Sequence, residues 1–114
     1  MDLQMFGAAA ALGLAALGSA LGTGIASQAA IGGWKKCFQN DKPAPFLLVA
    51  FAGVALTQTI YGFLLMNFIL GSTSENGLGL LGAGIFGGLA MGLSALMQGK
   101  AAARSADALA ETGK

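Results

Sequence analysis

The sequence predicts an all-α membrane protein: three transmembrane helices belonging to a duplicated two-helix hairpin, a four-helix unit that stops before its fourth helix. Three observations predict it. The stretches Leu3 to Trp34, Phe46 to Leu70 and Asn76 to Gly99 carry no charge. Each exceeds the roughly 20 apolar residues that cross a hydrocarbon core as a helix. The six Lys and Arg residues occupy two places only, Lys35, Lys36 and Lys42 in the first connection, and Lys100, Arg104 and Lys114 after the third stretch. The two Gly/Ala-rich stretches, finally, repeat one another at a fixed offset.

The 114 residues make one membrane domain. The expected boundaries are helix 1 over 3–34, a cytoplasmic loop over 35–45, helix 2 over 46–70, an outer loop over 71–77, and helix 3 over 78–110 with a cytoplasmic extension. The first helix could be mistaken for a secretory signal, but Asp2 is the wrong sign for such a start and the apolar run is too long. Basic loops stay on the cytoplasmic side. The N-terminus and residues 71–77 are therefore expected outside, and the first connection and C-terminus inside, in a multi-pass protein of the cell membrane. A net charge of +1 gives nucleic acid nothing to recognise.

Helices 1 and 3 are built of Ala and Gly. Gly18 and Gly22 lie four apart, Ala16, Ala20 and Gly24 form a neighbouring small stripe, and Gly84, Gly88 and Gly92 make a four-residue ladder. Residues at that spacing share one helix face. Small side chains there let backbones approach closely, which is how helices pack in lipid. Helix 2 opens with Pro43 and Pro45, the second suited to a helix start. Its Phe, Leu, Ile and Met side chains suit lipid or an outer layer.

A shift of 75 places Gly13-Leu14-Ala15 on Gly88-Leu89-Ala90 and Ser19-Ala20-Leu21 on Ser94-Ala95-Leu96, with Gly24 on Gly99 and Ala26 on Ala101. Duplication of a helical hairpin explains two ungapped triplets in one register. The same shift places Gly113-Lys114 on Phe38-Gln39, inside the first connection, so a counterpart of helix 2 is expected to need about 25 more residues.

No His, Asp, Glu, Lys or Arg lies inside a span, which removes most enzyme chemistry and any metal cluster; the chain has no catalytic residues and needs no bound cofactor. The informative polar residues are Thr57-Gln58-Thr59, near the bilayer midplane. Unpaired, an amide and two hydroxyls there cost several kcal/mol. Two readings stay open: hydrogen bonding between helices, or oxygen ligands for a small hard cation. Gln98, towards the cytoplasmic end of helix 3, is a second candidate. A hairpin turning near 73–76 sets Gln58 opposite residues 91–92, which leaves Gln98 roughly 10 Å nearer the cytoplasm at about 1.5 Å per residue. Gly82-Ala83-Gly84-Ile85-Phe86-Gly87 fits a dinucleotide-binding pattern but lacks the preceding strand and the following acid. Asn67 and Trp34 read as interfacial residues, and Cys37 as a thiol without a disulfide partner.

With the Gly/Ala helix 1, Leu56-Thr57-Gln58-Thr59-Ile60-Tyr61-Gly62-Phe63 and Met97-Gln98-Gly99-Lys100-Ala101-Ala102-Ala103, the chain resembles the membrane-rotor (proteolipid, or K) subunit of bacterial V-type and archaeal-type rotary ATPases. The resemblance implies a ring of identical subunits, with Gly/Ala helices on the inner wall and bulkier helices outside. It implies a transported Na⁺ or H⁺ held by Thr57, Gln58, Gln98 and the Val54 carbonyl, with Tyr61 and Thr59 behind them. The carboxylate that family members carry on helix four has no counterpart in this chain. The implied partners are a stator membrane subunit with a channel arginine, a central-stalk subunit, and the lipid bilayer. The rival expectation is a small pore-forming or structural oligomer of the holin type, which needs the glycine ladders but not the midplane Thr-Gln pair. A small multidrug transporter would need a Glu in its first span.

Overall fold

The computed structural model describes residues 2–113; Lys114, counted above among the inner basic residues, lies outside them. Helix α1 covers Leu3–Gln39 and α4 covers Gly77–Thr112. Between them the second span is split into α2 (Leu47–Gly53), a 3₁₀ turn (Val54–Leu56) and α3 (Thr57–Leu70). All three spans are long and apolar enough to cross a membrane, so the chain is a multi-pass, all-helical membrane protein. Its extents of 62 × 19 × 16 Å describe a rod.

Local chemistry sets the helix ends. Asp2 caps α1, its carboxylate accepting from the Gln4 and Met5 amides at 3.0 and 3.4 Å, and Asn76 caps α4 by accepting from Gly79 N–H at 3.0 Å. These side-chain oxygens replace the partners that a first helical turn lacks. At the far end of α4, Gly113 adopts φ +73° and its N–H donates to the Leu109 carbonyl at 2.8 Å, the left-handed stop that glycine permits. α1 runs past Trp34 to Gln39, because Lys35 and Lys36 have good helix propensity and no breaker precedes Asn40. The turn that follows holds Asp41 at φ +53°. Pro43 and Pro45 disfavour helix at the residues before them; Phe46 is already in the αR region, and α2 runs from Leu47.

The core of this rod is backbone against backbone. α1 and α4 run parallel, and a Cβ built on Gly18 would stand 2.0 Å from the Gly92 carbonyl oxygen. One on Gly84 would stand 1.9 Å from Gly7 O, one on Gly22 2.2 Å from Ala95 O, and one on Gly92 2.4 Å from Leu14 O. Gly88 is similarly tight at 2.8 Å from Ala10 O, and Gly99 at 2.1 Å from Gly22 O. The five ladder glycines of the sequence therefore all lie in the α1–α4 seam. The Ala16–Ala20–Gly24 stripe does not: Ala20 and Gly24 are exposed, and a Cβ on Gly24 meets nothing within 4 Å.

The second span runs antiparallel to both long helices. Gly62 packs on Ala15 and Ala11, Ala55 on Gly22, and Leu48 among Ala30, Ala106 and Leu109. At the other end Ile69 joins Ala8 and Ala11. Gln4 ties this end down by reaching the carbonyls of Ile69, Leu70 and Ser72 at 2.6, 3.3 and 3.1 Å, so one amide satisfies the last carbonyls of α3. Phe46, Ile60, Phe63, Leu64 and Phe68 point outward, where lipid is the matching solvent.

Candidate functional site

The second span breaks where its polar residues lie. Gly53, with the lowest helix preference of the common helix residues, precedes a 3₁₀ turn that hands over to α3 at Thr57. A 3₁₀ turn bonds i to i+3 instead of i+4, so its junctions disturb the backbone ladder. Val54, whose carbonyl the resemblance implicates, opens this turn.

Gln58 is 7% exposed and its Nε2 donates to Gln98 Oε1 at 2.7 Å. Thr57 Oγ1 donates to Gln58 Oε1 at 3.2 Å. The two glutamines are therefore joined, which corrects the expected separation of Gln98 from Gln58. The packing of Gly62 on Ala15 and Ala55 on Gly22 puts Gln58 near the level of Gly18 and Gly92, so the backbone offset remains several ångströms. Side-chain direction closes it. Every Cα–Cβ bond tilts towards its helix N-terminus, and in antiparallel α3 and α4 the two long side chains tilt towards each other.

The remaining candidates lie around this pair. Thr57 and Gln98 are exposed, and so is Tyr61, with Thr57 and Tyr61 one turn apart on the open side of α3. Among the described residues nothing accepts from the Gln98 amide or bonds the Tyr61 hydroxyl, and Thr59 is half-buried without a side-chain hydrogen bond. The arrangement gathers three oxygens in mid-span, Thr57 Oγ1, Gln58 Oε1 and Gln98 Oε1, with Thr57 and Gln98 exposed and Gln58 buried between them and α1. It has no acid–base or nucleophilic pair, and no cluster of His, Cys, Asp or Glu suited to a metal lies among the described residues.

Residues that sequence reasoning passed over sit on α1. Ser19 Oγ and Thr23 Oγ1 are buried with no hydrogen-bond partner among the described residues. Their signal was available: Ser19, Thr23 and Ser27 set three hydroxyls at four-residue spacing in a helix otherwise rich in Ala and Gly. At the opposite end of the rod Trp34 Nε1 donates to Pro45 O at 3.0 Å, and Cys37 is buried with Sγ 3.8 Å from Ala110 O. Lys36 pairs with Glu111. That hydrogen bond first, and the ammonium charge second, hold the exposed Glu111 carboxyl below its ordinary range.

No protein-family model, curated protein or solved structure matches this chain.

Proposed function

We propose that the chain is an ion-carrying subunit of a rotary, ATP-coupled membrane complex of the V/A type, assembling with copies of itself into a ring. The observation that carries this reading is the Thr57–Gln58–Gln98 oxygen set at a helix break in mid-span. A pair that served packing alone would be enclosed on all sides. Here Thr57, Tyr61 and Gln98 are exposed, and inside a bilayer lipid gives such groups no partner, so in this reading a further group covers them. A cation held by neutral oxygens also needs a compensating charge before leaving water is tolerable. Both needs are met by one carboxylate from outside these spans, packed against the open side of α3 and α4.

The duplication supports the ring. Contacts across the α1–α4 seam, such as Gly18–Gly92 and Gly22–Gly99, fall within a few residues of the repeat offset of 75. The two repeats nevertheless use different faces. α4 buries Gly84, Gly88, Gly92, Ala95 and Gly99, whose counterparts on α1 are the exposed Ala9, Gly13, Leu17, Ala20 and Gly24. Contacts between non-identical faces are head-to-tail, and such contacts generate rings when the rotation closes. The seam also takes up the five ladder glycines within one chain.

In this reading the N-terminus lies outside and the charged ends of α1 and α4 lie in the cytoplasm. The site travels neutral through lipid with its ion, exchanges Na⁺ or H⁺ at a stator subunit carrying an arginine, and passes torque to a central stalk. The test is to tag the chain in its native membranes, isolate its assembly, and follow ion-coupled ATP hydrolysis. The expected result is co-purification with nucleotide-hydrolysing subunits and loss of ion transport, with hydrolysis uncoupled, in Gln58→Leu. Recovery of a small assembly free of such subunits would refute the proposal.

A further inference from the structure

On the other side of the α1–α4 seam from the second span lies an apolar groove of about 100 Å³. Leu14, Leu17 and Leu21 form one wall and Leu89, Leu93 and Leu96 the other, with the Gly18–Gly92 contact as the floor. Glycine lets the two backbones meet, and the flanking leucines then stand up on both sides. Leu17, Leu21 and Leu93 are each more than half exposed. The second span makes its close approaches elsewhere, on Ala11, Ala15, Gly22 and Ala30 of α1 and on Gly87 and Ala106 of α4.

At one end the groove runs out onto positive charge. Lys100 follows Leu93 by seven residues and Leu96 by four, so it continues the α4 wall. Arg104 stands one turn further on, and both are exposed. Among the described residues neither side chain has an ion pair or a hydrogen bond. The seam sets Gly22 against Gly99 and Gly33 against Ala106 and Ala110, so the exposed Gln28, seven residues beyond Leu21, is about level with Arg104. Depth fits as well. Lys100 is the first charged residue after Glu75, which places it at a boundary of the hydrocarbon. Leu89 lies 11 residues earlier, about 16 Å along the helix, and one leaflet of hydrocarbon is about 15 Å deep. Asp107, the acid that next follows on α4, is about 10 Å past Lys100 on the side away from the hydrocarbon.

We infer that this groove binds an anionic glycerophospholipid from the leaflet on the Lys100 side. One acyl chain lies between the two leucine walls, and the phosphate is held by Lys100 and Arg104, with the Gln28 amide as a further donor. Ammonium and guanidinium groups bind phosphate through charge-assisted hydrogen bonds, and basic sites between membrane helices recognise anionic headgroups. Two arguments favour a lipid chain over a second copy of this protein. A groove of about 100 Å³ takes one hydrocarbon chain, whereas a helix with its side chains is about 10–12 Å across. A second copy would also have to bring an acid to Lys100, and the three uncharged stretches of the chain carry none. The bound chain covers the half-bared leucines and so stiffens the wall that α1 and α4 form.

The test is photo-crosslinking of the full chain in phosphatidylcholine liposomes doped with phosphatidylglycerol that carries a diazirine in one acyl chain. Phosphatidylcholine with the same diazirine is the matched control. The expected result is labelling of the six groove leucines by the glycerol lipid several-fold above labelling by the choline lipid. That excess is lost in Lys100→Gln/Arg104→Gln and kept in Lys35→Gln/Lys42→Gln, which removes as much charge from the same end of the rod. Equal labelling by the two lipids, or an excess that survives the Lys100 and Arg104 changes, would overturn the inference. So would leucines that take no lipid label, the outcome if a second copy covers them. All four substituted side chains are exposed, and the comparison of two lipids on the unaltered chain decides without them. Neither sodium nor ATP enters the assay, so the lipid site stands or falls separately from the ion-carrying function.

Discussion

Gly18→Ala and Gly24→Ala are chemically the same substitution on one helix, and the structure assigns them opposite signs. A Cβ at Gly18 would lie 2.0 Å from Gly92 O and 2.2 Å from Gly92 Cα, where ordinary contact begins at 3.4 Å. Relief therefore requires two helical backbones to part until that 2.0 Å approach reaches 3.4 Å, and neither backbone can rotate out of the way. Because Gly7–Gly84 and Gly22–Gly99 share the seam, a local opening loosens contacts above and below it. A gap of about 0.5–1 Å already forfeits roughly a quarter to a half of each dispersion well, and overpacking costs about 1–3 kcal/mol. The required parting exceeds that gap, so the expected destabilisation of Gly18→Ala lies in the upper part of the range, about 2–3 kcal/mol. At Gly24 an added Cβ meets nothing within 4 Å, leaving only the helix-propensity gain of up to about 1 kcal/mol. Titration from a mild detergent into a denaturing one, followed by far-ultraviolet circular dichroism, measures both. Equal effects of the two substitutions would refute the parallel glycine seam.

A double-mutant cycle on Gln58→Leu and Gln98→Leu, read in the same titration, should give a coupling of about 0.6–2 kcal/mol; Gln98→Leu alone should cost about 1–3 kcal/mol by stranding the buried Gln58 amide. Glu111 has its carboxyl pKa lowered by Lys36, so its contribution is present above the ordinary value of 4.5 and is lost as pH falls through the lower folded value. Melts between pH 7 and pH 3 should show that loss, and Glu111→Gln should abolish it. Amide hydrogen exchange in lipid discs should be faster at Val54–Gln58 than at Gly84–Gly92, because a 3₁₀ junction opens at lower cost than a continuous ladder. Equal protection would place the break outside the relaxed ensemble.

The helical class and the three spans were legible because charge is a coarse, one-dimensional signal: where Lys and Glu are absent over a bilayer's worth of helix, little but a membrane span fits. The ladder glycines were legible for a related reason, since four-residue spacing fixes a face without reference to a partner. Which partner each face meets was not. Gly18 and Gly24 look alike in the sequence, and only the placement of α4 separates a buried glycine from an open one. The union of Gln58 with Gln98 escaped because counting residues along a hairpin locates Cα atoms, whereas two opposed glutamines act several ångströms from theirs. The 3₁₀ turn had a weak signal in Gly53, a single residue that continuous helices often tolerate.

The α1–α4 seam and the second span differ in stiffness, and the candidate site lies on the compliant side. The long helices meet backbone to backbone from Gly7 to Gly22, so sliding either one would drive carbonyl oxygens into Cα atoms, and packed interiors transmit such strain without absorbing it. The second span touches this wall closely at Gly62 and Ala55 but elsewhere through side chains. Its helix is interrupted immediately before Thr57. Among the described residues one side-chain bond, Gln58 to Gln98, crosses from it to α4 in mid-span. Rotation of the exposed Gln98 side chain is enough to open that bond, and it leaves the wall untouched. The fold thereby sets a polar pair at a helix break beside a rigid two-helix wall, so the surroundings of these oxygens can change while the α1–α4 seam does not.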